Sequence, residues 1–65
     1  MKETVKFGTN QRVKAHPTCD CFMQGDIHGE IEKITHDQEG KAIVHVRMDR
    51  SKKLRKFTQD LLLLP

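Results

Sequence analysis

Tryptophan and tyrosine are absent from this 65-residue chain, and only Phe7, Phe22 and Phe57 are aromatic. That scarcity excludes several modes of recognition. A proline-rich ligand needs a groove lined with aromatic rings, a methylated lysine needs several rings around its cation, and base stacking needs an aromatic platform. Phenylalanines that must also fill a core can build none of these well. Cysteine is scarce too, with only Cys19 and Cys21. They cannot form the dense disulfide framework of a small secreted domain, and with one residue between them a bridge would close a small, strained ring. Reduced thiols and a cytoplasmic location are the expectation. The longest apolar run, Leu61 to Leu64, falls far short of the roughly 20 residues of a spanning helix. "MKETVKFGTN" also lacks the apolar stretch of a signal peptide, so no membrane association is expected.

What is present fits one soluble globular domain over residues 1–65. Apolar residues make up 35% of the chain and charged residues 32%, a balance unlike that of a disordered segment. A chain of this size buries only roughly 60% of the surface its unfolded form exposes, so its core must be small. The net charge of +3 is unevenly spread. Met1 to Gly40 carry a net −2, and Lys41 to Phe57 carry +6, with Asp49 the lone acid among seven bases. An anionic partner is therefore to be sought in the second half.

Hydrophobic period points to strands. In "KAIVHVRM", Ala42, Val44, Val46 and Met48 alternate with Ile43, His45 and Arg47, the pattern of a half-buried, β-branched strand. In "GDIHGEIEKIT", Ile27, Gly29 and Ile31 share one face and Ile34 breaks parity, which predicts a bulge or bend near Glu32 or Lys33. Gly29 within that run marks a bend or a close backbone approach. "HDQEGK" reads as a hairpin loop and "DRSKK" as a second, tighter one leading to "LRKFT". "NQRVKAH" gives a short strand around Val13. "TVKF" before it is an edge strand or a flexible arm within residues 1–10. Thr58 to Asp60 suit a single tight helical turn and Leu62 to Leu64 a final strand. No amphipathic helix, repeat or linker is evident.

The succession "QRVKA", a long irregular loop, "GDIHGEIEKI", "KAIVHVRMD", "LRKF" and "TQDLLLL" resembles the small SH3-like β-barrel over Gln11 to Leu64. The resemblance is to a fold and not to one family, and a fold does not fix a function. It implies an all-β, five-stranded barrel at residues 11–64, with a long first loop and one short 3-10 turn before the last strand. Closure would protect the exposed edges of so small a sheet.

Two clusters stand out as candidate sites. "HPTCDC" places His16, Cys19 and Cys21 together on the first loop, where they could wrap a tetrahedral ion. Zinc requires a fourth ligand, for which His28, His36 or His45 would have to serve, and no second Cys pair exists. An inert loop with partly buried thiols is the simpler reading, and no cofactor is expected. His28 and His45 lie opposite the apolar faces by alternation, which places them toward solvent or over a rim. No Ser-His-Asp order or carboxylate pair supports catalysis, and a chain this small leaves little room for a deep pocket. The stronger signal is "RMDRSKKLRK". It gathers Arg47, Arg50, Lys52, Lys53, Arg55 and Lys56 on two adjacent strands and their turn, as in a surface that binds phosphate backbones through counterion release. Such charges also serve simply to keep a hairpin solvated. The expectation is a non-enzymatic binding module contacting nucleic acid or another polyanion. The alternative is a protein-protein adaptor or accessory subunit that uses a barrel edge or the first loop.

Overall fold

The computed structural model describes residues 2–64, with the backbone alone for Cys21. In chain order it contains β1 (Arg12–Ala15), a one-turn helix α1 (Asp20–Met23), β2 (His28–His36), β3 (Ala42–Met48), β4 (Leu54–Phe57), a 3-10 turn (Gln59–Leu61) and β5 (Leu62–Leu63). All pairings are antiparallel, in the order β4-β3-β2-β1-β5. The fold is all-β in architecture. No helix among the described residues is long and apolar enough to cross a membrane.

β2 sits at the centre and explains its own irregular sequence. Its register against β3 shifts between Ile31 and Lys33. The extra residue of a bulge reverses side-chain parity, and so Ile34 returns to the core side after Gly29 and Ile31. Glu32 and Lys33 are both left exposed as a consequence. Gly29 lies opposite Met48, and a Cβ there would stand 2.5 Å from Val46 Cγ1 and 2.7 Å from the Arg47 carbonyl oxygen. Only a residue without a side chain lets β3 approach this closely.

The core comprises Val13, Ala15, Ile31, Val44, Val46, Met48, Phe57 and Leu62, with Phe7, Cys19, Ile34 and Leu61 packed at its margin. Each large apolar side chain buried contributes about 1.5–3 kcal/mol before chain entropy is counted. Alternation places all four even-numbered β3 positions inside, and Ala42, Val44, Val46 and Met48 are indeed buried.

The expected closure into a barrel does not occur. β4 and β5 are the two edges of an open sheet and do not pair with each other. β5 has two residues, and these pair with Lys14 and Ala15 of β1. Two further differences are local. A single helical turn, α1, interrupts the first loop, too short to leave an amphipathic period. The 3-10 turn begins at Gln59, one residue later than the sequence suggests.

The N-terminal arm belongs to no strand, yet it is tied down. The Glu3 N–H donates to the Gly40 carbonyl at 2.6 Å, and the Glu3 carboxylate accepts from the Ala42 N–H at 2.7 Å. Gln59 donates its side-chain amide to the Thr4 carbonyl at 2.8 Å and accepts the Lys6 N–H. A primary amide has one carbonyl and one N–H face, so Gln59 replaces a residue of a neighbouring strand. Held this way, the arm brings Phe7 against the core.

Candidate nucleic-acid interface

Strand parity divides the basic run that the sequence places in one cluster. Residues directly opposite in adjacent strands share a face. Arg55 is opposite Val46, and Val46 is opposite Ile31, which puts Arg55 on the core side. There its Nε donates to Asp26 Oδ2 at 3.0 Å. Asp26 is 4% exposed and also accepts from Ser51 Oγ at 2.8 Å and the Ser51 N–H at 3.4 Å. Burial acts to raise the Asp26 carboxyl pKa. The hydrogen bonds from Ser51 and Arg55, with the guanidinium charge, outweigh it and hold the group below its ordinary value. This cluster pins the segment before β2 to the β3–β4 turn. Arg55 is therefore engaged internally and is not part of a common basic surface.

Arg47 lies on the outer face but is also engaged. Its Nε donates to Glu32 Oε2 at 2.7 Å, and its Nη1 reaches the Lys52 carbonyl at 3.2 Å. The hydrogen bond from Arg47 holds the Glu32 pKa below its ordinary value. Nearby, Arg12 and Asp49 form a bidentate pair that holds the Asp49 pKa below its ordinary value.

The remaining members of the run make no ion pair among the described residues. The Arg50 guanidinium lies over Gly25, whose φ is +82° and whose missing side chain leaves it room. Lys52 adopts the left-handed conformation, φ 63°, and closes the turn by donating its N–H to the Met48 carbonyl at 3.1 Å. Lys53 is exposed beside it. Lys56 is exposed on the outer face, directly opposite His45.

His45, expected toward solvent or over a rim, is covered. It is on the outer face, as alternation requires, yet only 7% exposed. Lys33 of β2 and Lys56 of β4 are its direct cross-strand partners, and Nε2 lies 2.9 Å from Thr35 Oγ1. Its Nδ1 is buried without a hydrogen-bond partner among the described residues. Burial lowers the His45 pKa, the Lys33 and Lys56 charges lower it further, and Glu32 opposes them. Beside it opens a groove of about 470 Å³ lined by Thr35, Ile43, His45, Lys56, Phe57 and Leu61, among others. Sequence reasoning missed Lys33, because its face depends on the position of the bulge. It also missed Asp26, for which a lone Asp before a strand gives no signal.

The other candidate cluster is described only in part. His16 Nδ1 pairs with Thr18 Oγ1 at 2.8 Å, and Cys19 is half-buried against the core margin. The Cys21 side chain lies outside the described residues. Among the described residues, no three His, Cys, Asp or Glu side chains group as a metal site would require. His28 is exposed, as alternation suggests. No family model, curated protein or solved structure matches the chain.

Proposed function

We propose that this chain is a non-enzymatic, cytoplasmic binding module that contacts the phosphate backbone of nucleic acid through the free cations of the β3–β4 hairpin. The observation that supports it most is the division of the basic residues. Arg12, Arg47 and Arg55 are neutralised by Asp49, Glu32 and Asp26, whereas Arg50, Lys52, Lys53 and Lys56 have no ion-pair partner among the described residues. Flexible lysines without internal partners give charge without planar, bidentate geometry. They suit backbone contact better than base readout, and no aromatic side chain in the hairpin turn offers a stacking platform. The contacting set is therefore Arg50, Lys52, Lys53 and Lys56, and it omits Arg47 and Arg55. The strand order and the 3-10 turn before the last strand support reading the sheet as an open relative of the SH3-like barrel.

A mobility-shift titration with duplex DNA at low salt tests the reading. Binding that weakens steeply as salt rises is the expected result, and no binding at low salt would remove it. A second reading, a protein partner docking at an open edge, rests on Leu63 at 37% and Leu64 at 64% exposure, at and just beyond the edge strand β5, which pairs with β1 on one side only among the described residues. It predicts salt-tolerant association that Leu63→Lys abolishes.

A further inference from the structure

Three features converge on the outer face away from the β3–β4 turn. Lys33 and Lys56 flank His45 in direct register on the two neighbouring strands, so their Cα atoms are about 10 Å apart, two interstrand spacings. Both side chains are exposed, and neither makes an ion pair among the described residues. Between them lies a nearly buried imidazole, with Thr35 on its Nε2 and no hydrogen-bond partner among the described residues on its Nδ1. One tetrahedral oxyanion fits this span, because two lysine side chains can close on it from opposite sides.

We propose that Lys33 and Lys56 form a seat for a single phosphate group, and that filling this seat is coupled to proton uptake by His45. The proposal deepens the nucleic-acid reading and rests on it for the source of the phosphate. In the free protein a proton on His45 would stand between two ammonium groups in a site that water scarcely reaches. The charged groups acting on it are Lys33 and Glu32 from β2 and Lys56 from β4. His36 and Asp37 line the same groove farther along, and the 3-10 turn contributes the apolar Leu61. A bound phosphate neutralises the two lysines and adds a negative charge above the ring, so the imidazolium becomes the favoured form. Linkage makes the effect reciprocal: protonated His45 tightens the hold on phosphate by the same factor that phosphate favours protonation. A phosphodiester keeps its charge throughout the range in which histidine titrates, so the pH dependence belongs to the protein.

The test follows the side-chain resonances of all four histidines against pH by NMR, in the free protein, with a short duplex DNA and with sulfate. Sulfate is a free oxyanion whose charge is also constant over this range. The expected result is a His45 midpoint that lies below the ordinary histidine value of about 6.5 in the free protein and moves upward when duplex is added. A rise of half a pH unit corresponds to about threefold tighter binding at the acid end. Lys33→Gln and Lys56→Gln, both at exposed positions, should raise the midpoint of the free protein and abolish its response to duplex. They keep the test usable if His45→Gln fails to fold. Duplex binding that leaves the His45 midpoint unmoved would overturn the proposal while the nucleic-acid reading stands. A response to sulfate with no duplex binding would support the seat and overturn nucleic acid as its phosphate source. No response to either would overturn both.

Discussion

The two faces of the β3–β4 hairpin carry similar residues to opposite ends. On the core side, Arg55 is bound to a carboxylate that is 4% exposed and shared with Ser51. On the outer side, Lys56, one position along the same strand, has no ion-pair partner among the described residues and faces the Lys33–His45 row. One strand thus uses alternate cations to hold the turn in place and to present charge. A sequence-level count of basic residues therefore overstates the surface available to a ligand, and the presence or absence of an internal carboxylate separates the two uses.

Four variants break or sharpen this contrast. The largest expected effect is on the core side. Asp26→Ala leaves Arg55 and Ser51 without their shared acceptor and should cost about 2–4 kcal/mol in urea unfolding. Gly29→Ala forces a methyl against Val46 and the Arg47 carbonyl, and should cost about 1–3 kcal/mol. On the outer side the balance reverses. Lys33→Glu with Lys56→Glu should change stability by less than about 0.5 kcal/mol while lowering duplex affinity by about tenfold or more. The smallest effect separates the two uses within one residue. Lys52→Gly removes a cation but relieves a left-handed backbone conformation that costs a non-glycine residue about 1 kcal/mol. It should leave the protein as stable or slightly more so, and bind duplex less tightly.

Both faces also respond to acid, in separate windows. Folded His45 holds its proton less tightly than the unfolded chain does. Stability is then complete above about pH 6.5 and declines as pH falls from there toward the folded value. The depressed Asp26 carboxyl contributes stability that is present above about pH 4 and is lost as pH falls through its folded value. A series of urea unfolding curves should show the first decline without Asp26, and the second without His45.

Much of the sheet is legible in the sequence because alternation is a local signal. Strands β1 to β4, the two hairpins, the bulge at Glu32 and Lys33 and the close approach at Gly29 all follow from period and residue type. The open edges are not legible, since closure depends on whether a two-residue β5 can reach β4. At the candidate site, the basic composition of the hairpin is visible but its division is not. Arg55 and Lys56 look alike until Asp26, 29 residues from Arg55, takes one and not the other. Alternation puts His45 on the correct face, but its burial depends on Thr35, Lys33 and Lys56 from two other strands and carries no mark in the local pattern.

The central claim is that the free lysines of the hairpin, rather than net charge, hold the phosphate backbone. The most direct measurement is the salt dependence of duplex binding for Lys52→Gln/Lys56→Gln against Lys41→Gln/Lys2→Gln, a charge-matched pair away from the β3–β4 turn. The slope of log affinity against log salt should become shallower by about 2 in the first double variant, close to one for each lysine taken off the phosphates, and stay near the parent value in the second. Equal slopes for the two double variants, or binding that does not respond to salt, would contradict the account.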